Sequence, residues 1–237
     1  MSESFIALDG QKGVDPATDE LIADPAERVL QIFRNMATIA RENGSDLSET
    51  VRLVVYVADM MRDRPLINAA QKEIWGEGPY PCRTIVEVDY LGDDFVEMDG
   101  VFRLPDDDSA AIEFLAPEDA FTPTATWSPG IKTEGHVFVS GMRGINPETE
   151  ALVLGEAPRV RQALLNMQII AEAGSAKLTD ATGLILYVTD EKYIEIIEAL
   201  QPRFWENKPL PPMTINIVTA LNDDDILEIE GTFSRGS

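Results

Sequence analysis

The sequence holds one cysteine, Cys82, and one histidine, His136, among its 237 residues. A lone thiol cannot close an internal disulfide, and it lacks the second thiolate that structural zinc sites use. That scarcity fits a reducing compartment. Basic residues are few as well: 19 Lys and Arg against 42 Asp and Glu give a formal net charge of −23. Such a field repels nucleic-acid phosphates and anionic membrane surfaces at long range, so neither is expected as a partner. No uncharged apolar run reaches the roughly 18 residues of a membrane span. The start, MSESFIALDG, has no basic segment followed by an apolar one. The expectation is a cytoplasmic protein. What is present, 44% hydrophobic and 26% charged residues, suffices for a buried core. At roughly 100–200 residues per domain, the length allows one large domain or two small ones.

Two copies of one pattern decide between these. FIALDGQKGVDPA at residues 5–17 resembles HVFVSGMRGINPE at residues 136–148, with Gly10 falling on Gly141 and Pro16 on Pro147. Further on, Asn35-Met36 falls on Asn166-Met167, the segment ending at Asp59 on that ending at Asp190, and Trp75 on Trp205. VEMDGVF from Val96 matches LEIEGTF from Leu227 at the same spacing. Two long copies argue for a duplicated domain and against a solenoid. The expected division is a first domain over 1–104, an acidic linker over 105–126 and a second domain over 127–237. The linker carries six acidic residues and no basic one. It reads either as a solvated connection or as a segment that completes the second copy's sheet.

Within a copy, Asp24-Pro25 followed by Glu27 is a helix start, with an N-cap, a proline at the first helical position and a capping-box acid. Val29, Ile32, Phe33, Met36, Ile39 and Ala40 then recur at helical spacing until Asn43-Gly44. LVVYV from Leu53 and LILYV from Leu184 are β-branched runs that read as buried strands. A second helix and two further strands follow in each copy. The fold class expected is α+β, with two tandem domains, each a mixed sheet carrying two helices on one face. The sheet's other face needs a cover, which oligomerisation would supply.

The order GQ-x-x-V-D-P, VVYVAD, then Pro81-Cys82-Arg83-Thr84-Ile85-Val86-Glu87-Val88 and Glu97 fourteen positions after the arginine resembles the YjgF/RidA/L-PSP family of reactive-intermediate deaminases. The resemblance covers both copies. It implies a chorismate-mutase-like fold, a homotrimer or trimer-based assembly, and sites in clefts between neighbouring domains. The chemistry it implies is hydrolysis of an imine or enamine carboxylic acid to a keto acid and ammonia, with no metal and no cofactor. A dedicated catabolic step, such as deamination of a 2-aminomuconate, is one form of that activity. A non-catalytic metabolite-binding or protein-interaction member of the same fold is the alternative.

The resemblance implies catalytic roles for Arg83, whose paired donors fit a carboxylate, and for Glu97, which would hold water and exchange protons. Gly10, Gln11, Asn68 and Cys82 are the substrate-binding residues that go with them. As isolated residues, Arg83 and Glu97 read as a surface ion pair, Gly10 as a turn glycine and Cys82 as an inert buried thiol. In the second copy Met213 stands at the arginine's place, and Glu228, Gly141 and Glu198 at those of Glu97, Gly10 and Asn68. That cleft is expected to be non-productive. The first copy lacks the family's opening strand, whereas the second keeps an aromatic version in Trp127-Ser128-Pro129-Gly130. The resulting expectation is one composite cleft of Arg83, Glu97 and Trp127.

Overall fold

The computed structural model describes residues 3–106, 108–206 and 208–236. The first repeat runs β1 (Ser4–Gln11), a short hairpin of β2 (Val14–Asp15) and β3 (Glu20–Leu21), α1 (Pro25–Glu42), β4 (Thr50–Val57), α2 (Met60–Trp75), β5 (Cys82–Glu87) and β6 (Val96–Leu104). Its sheet has the order β1-β6-β4-β5, with β4 and β5 parallel and the other pairs antiparallel. After β7 (Glu113–Leu115) the second repeat runs β8 (Gly130–Lys132), β9 (His136–Met142), β10 (Ile145–Asn146), β11 (Ala151–Leu152), α3 (Glu156–Ala173), β12 (Ala181–Val188), α4 (Lys192–Phe204), β13 (Met213–Ile217) and β14 (Leu227–Ser234). Its sheet has the order β13-β12-β14-β9-β8-β7.

Local chemistry explains the elements. The Asp24 carboxylate accepts the Glu27 N–H at 3.0 Å, and Pro25 opens α1. The apolar stripe of α1 lies on Leu53, Val55 and Val57 of β4. Both repeats also share their wiring. Asn35 on α1 donates to the carbonyls of Lys12 and Val14, as Asn166 on α3 does to those of Arg143 and Ile145. These contacts hold the turn after each first long strand against a helix.

The repeats differ at the sheet edge. β8 pairs with β9 and with β7, so residues 113–115 of the acidic connection extend the second sheet. Leu115 and Phe121 enter that repeat's core. Among the described residues, the first sheet ends at β1 without a counterpart of β8.

The two sheets pack through the faces that the helices leave bare. Val54 and Val86 meet Tyr187, Val218 and Leu221, while Val51 and Cys82 meet Ile131 and Phe138. A buried carboxylate fixes the docking. Glu230 pairs with Arg52 and accepts hydrogen bonds from Thr84 Oγ1 at 2.8 Å and Tyr187 Oη at 3.1 Å. The strand β5 is thereby covered, whereas its counterpart β13 leaves Ile215 and Ile217 exposed. Among the described residues, no helix is long and apolar enough to cross a membrane.

Candidate functional site

β5 begins at the seam between the repeats. The Arg83 N–H donates to Ser140 Oγ at 3.0 Å, and that hydroxyl donates to the Ser128 carbonyl at 2.5 Å. Arg83 therefore takes its place partly from the second repeat. It lies opposite Leu53 of β4, and Leu53 faces the helices. Directly paired residues project to the same side of a sheet, so the Arg83 side chain runs toward α2. There Nη1 donates to Asn68 Oδ1 at 2.8 Å, Gln71 Oε1 at 2.5 Å and Thr126 Oγ1 at 3.0 Å. Nη2 and Nε have no hydrogen-bond partner among the described residues.

The guanidinium lines a cavity of about 140 Å³ together with Trp127, Gly141, Arg143, Glu228 and Arg64. Glu228 enters from β14, opposite Tyr187, on the face of the second sheet that meets the first repeat. It is 4% exposed, and no hydrogen bond to its side chain occurs among the described residues. Burial pushes its carboxyl up to about 8, helped by the nearby negative charges of Asp225 and Glu230 and opposed by Arg143 and Arg83. At neutral pH it is an acid holding its proton. Burial also lowers Arg83, to about 10, with Arg64 acting in the same direction and Glu228 against it, so the guanidinium remains charged near pH 7.

Glycine is required at position 141 because a Cβ there would collide with the Glu228 carboxylate. Arg143 is tied to Asp225 at 3.0 Å, to Asp223 at 3.2 Å and to the Asn222 carbonyl at 2.7 Å. Trp127 stands in the wall with Phe121, their ring centroids 5.9 Å apart.

Glu97 is absent from this cavity. It lies opposite Tyr56, on the face away from the helices, with β4 between its strand and that of Arg83. The two residues expected to meet therefore occupy opposite faces of one sheet. Glu97 pairs instead with Lys12 at 3.4 Å, and Gly10 sits beside it, its N–H given to Asp99 at 2.8 Å. Gln11 turns back to the Asp9 carbonyl at 2.9 Å.

The other expected residues divide in the same way. Asn68 and Trp127 belong to the Arg83 site, Asn68 as a partner of the guanidinium. Cys82 is buried, its Sγ donating to the Phe138 carbonyl at 3.3 Å, and burial raises its thiol to about 12. It is a packed thiol. Glu198 is exposed on α4. Met213 lines a larger cavity of about 440 Å³ whose Arg52 and Glu230 pair with each other, so among the described residues no unpaired Lys or Arg lines it. The expected composite cleft drew on the second repeat for Trp127 alone; Glu228 and Gly141 line the Arg83 cavity as well. Gln71, Thr126, Arg64 and Arg143 were absent from the sequence reading. Gln71, three residues after Asn68, shares its helical face and was the one within reach of periodicity.

Among the described residues no group of three or more His, Cys, Asp or Glu gathers as metal ligands. The arrangement puts a cation with free donors and a protonated carboxyl on the walls of one cavity. It suits a small anion and proton transfer to it.

The profile of the family described as "Endoribonuclease L-PSP" matches residues 1–101 and again 117–233. A RutC family protein of Pyrococcus abyssi is 33% identical over 100 residues, covering 41% of this chain and 77% of its own. The 2-iminobutanoate/2-iminopropanoate deaminase of Escherichia coli is 30% identical over 115 residues, 48% of this chain and 79% of its own. Among solved structures, a probable translation initiation inhibitor from Rhodopseudomonas palustris superposes with a TM-score of 0.51 at 38% identity. It accounts for 53% of this chain and 99% of its own, one repeat's worth.

Proposed function

Because this chain belongs to the L-PSP family, in a tandem form matched twice by the family profile, we propose that it is a hydrolytic deaminase of an imine or enamine carboxylic acid. The observation that carries the reading is the cavity lined by Arg83 of one repeat and Glu228 of the other. Two relatives bear the name 2-iminobutanoate/2-iminopropanoate deaminase. The family takes its name from an endoribonuclease, but a net charge of −23 opposes an RNA substrate.

In this reading the free edge of Arg83 holds the substrate carboxylate and sets the imine against Glu228. The Glu228 proton passes to the imine nitrogen. Water adds to the imine carbon as the C=N π pair moves onto nitrogen, and Glu228 takes the proton that the water sheds. A second transfer from Glu228 makes the nitrogen an ammonium-like leaving group. The C–N bond breaks, ammonia departs, and the hydroxyl proton returns to Glu228 as the carbonyl forms. One carboxyl serves as acid and base in turn, and Arg83 and Arg143 stabilise its charged form.

The narrower form of the reading is one dedicated catabolic substrate, such as a 2-aminomuconate. Association into a homo-oligomer is supported by the exposed Ile215 and Ile217 on β13. The test is ammonia release from iminoacids generated in situ, with Arg83→Ala as control. Faster release than in buffer, lost in the variant, is expected. No acceleration by the wild-type chain, with keto acids still bound, would favour a binding protein instead.

A further inference from the structure

The cavity holds, besides Arg83, a second guanidinium that has no acidic partner among the described residues. Three guanidinium groups line it, those of Arg64, Arg83 and Arg143. Arg143 is neutralised by Asp225 and Asp223. Arg83 keeps one free edge for the first carboxylate. Arg64 is half-buried and has no ion pair or hydrogen bond among the described residues. Of the acids in the lining, Glu228 holds its proton and Asp223 belongs to Arg143; the charged Glu150 carboxylate is turned to the N–H and hydroxyl of Thr122, each at 3.1 Å, and pairs with no guanidinium among the described residues.

Helical spacing places Arg64 there. It precedes Asn68 by four residues on α2, so the two share a face, and Asn68 holds Arg83. The two guanidinium groups are near enough for Arg64 to weaken proton binding at Arg83. Two like charges side by side in a confined space are stabilised when anions lie between or beside them. The long-range field of a chain with net charge −23 disfavours a dianion, and a second local cation offsets that repulsion where the ligand must sit. Trp127, Phe121 and Ile145 line the same cavity, apolar surfaces suited to a short carbon chain.

We infer that Arg64 is a second carboxylate subsite, so that the substrate is the imine or enamine of a dicarboxylic acid, one carboxylate on Arg83 and the other on Arg64. The inference rests on the deaminase reading of this cavity and adds its specificity.

Binding of product-like keto acids to the full chain, measured by calorimetry, tests it independently of turnover. Oxaloacetate, 2-oxoglutarate and 2-oxoadipate should bind at least about tenfold more tightly than pyruvate and 2-oxobutanoate, the size of one charge-assisted contact. Arg64→Gln should erase most of that ratio, whereas Arg83→Gln should weaken both classes. Ammonia release from the matching imines is measured in parallel. A wild-type chain without the preference, or a ratio that Arg64→Gln leaves unchanged, overturns the subsite even if every imine is deaminated. A ratio that collapses in Arg64→Gln without ammonia release from any imine supports the subsite and removes the deaminase reading.

Discussion

Arg83 on β5 and Glu228 on β14 line one cavity from different repeats, so neither repeat contains the site by itself. Arg83 is aimed by the helix side of its own sheet, Glu228 by the bare face of the other. Docking of the sheets, fixed by Glu230 with Arg52, Thr84 and Tyr187, therefore sets the distance between clamp and acid.

Removing a hydroxyl that holds the clamp should weaken binding first. Thr126→Val deletes an acceptor 3.0 Å from Arg83 Nη1 while keeping the side chain's shape. With Asn68 and Gln71 still in place, KM for an iminoacid should rise roughly tenfold, the value of one hydrogen bond to a charged group. kcat should change less. Steady-state kinetics checks the split.

Activity should fall as the medium becomes alkaline. With Glu228 pushed up to about 8 by burial, its acid form prevails below that pH and is lost above it. kcat/KM should be level on the acid side of about 8 and decline beyond, and Glu228→Gln should lose that limb. Stability follows the same group. Its carboxyl ionises at its ordinary value of 4.5 in the unfolded chain but near 8 when folded. The folded state thus binds the extra proton between those values. Its contribution is fully present below 4.5 and is lost as pH rises through 8. Glu228→Gln should therefore be less destabilised than wild type between pH 5 and 9, by an amount on the order of a few kcal/mol in urea melts.

The seam itself can be weakened without touching the cavity walls. Ser140→Ala removes the acceptor of the Arg83 N–H, 3.0 Å away and buried. An unsatisfied buried donor costs about 1–3 kcal/mol. For a chain of this size the thermal midpoint should drop by roughly 3–10 °C, read by calorimetry.

Much of this architecture was legible in the sequence because repetition and capping are local signals. Asp24-Pro25, the α1 stripe and the β-branched runs at Leu53 and Leu184 each specify an element from a few neighbouring residues. The repeated Asn35 and Asn166 mark equivalent helix positions. Arg83 and Asn68 were singled out by motif and Trp127 by comparing the repeats; Asn68 touches the guanidinium and Trp127 lines its cavity. Glu97 does not come to Arg83. Whether two residues share a face depends on how β5 and β6 register against β4. Leu53 and Tyr56 sit on opposite faces of that strand, and a spacing of fourteen positions in the chain does not reveal it. Glu228 was assigned to a non-productive second cleft for a related reason. Only the packing of one sheet on the other brings it to the clamp, and no local pattern encodes that docking.

The connection between the repeats was ambiguous for a physical reason too. Six acids favour solvent, whereas Phe114, Leu115 and Phe121 favour packing. The chain does both, with Glu113–Leu115 joining the second sheet and Thr126 reaching the guanidinium.

The decisive comparison is between Glu228→Gln and Glu97→Gln, with ammonia release from one iminoacid followed for both. Proton transfer by a positioned carboxyl is worth about 10²–10⁴-fold, so Glu228→Gln should lose at least about a hundredfold in kcat while Glu97→Gln, paired with Lys12 on the far face, stays close to wild type. A large loss in Glu97→Gln with Glu228→Gln still active would contradict the assignment of the site to the seam between the repeats.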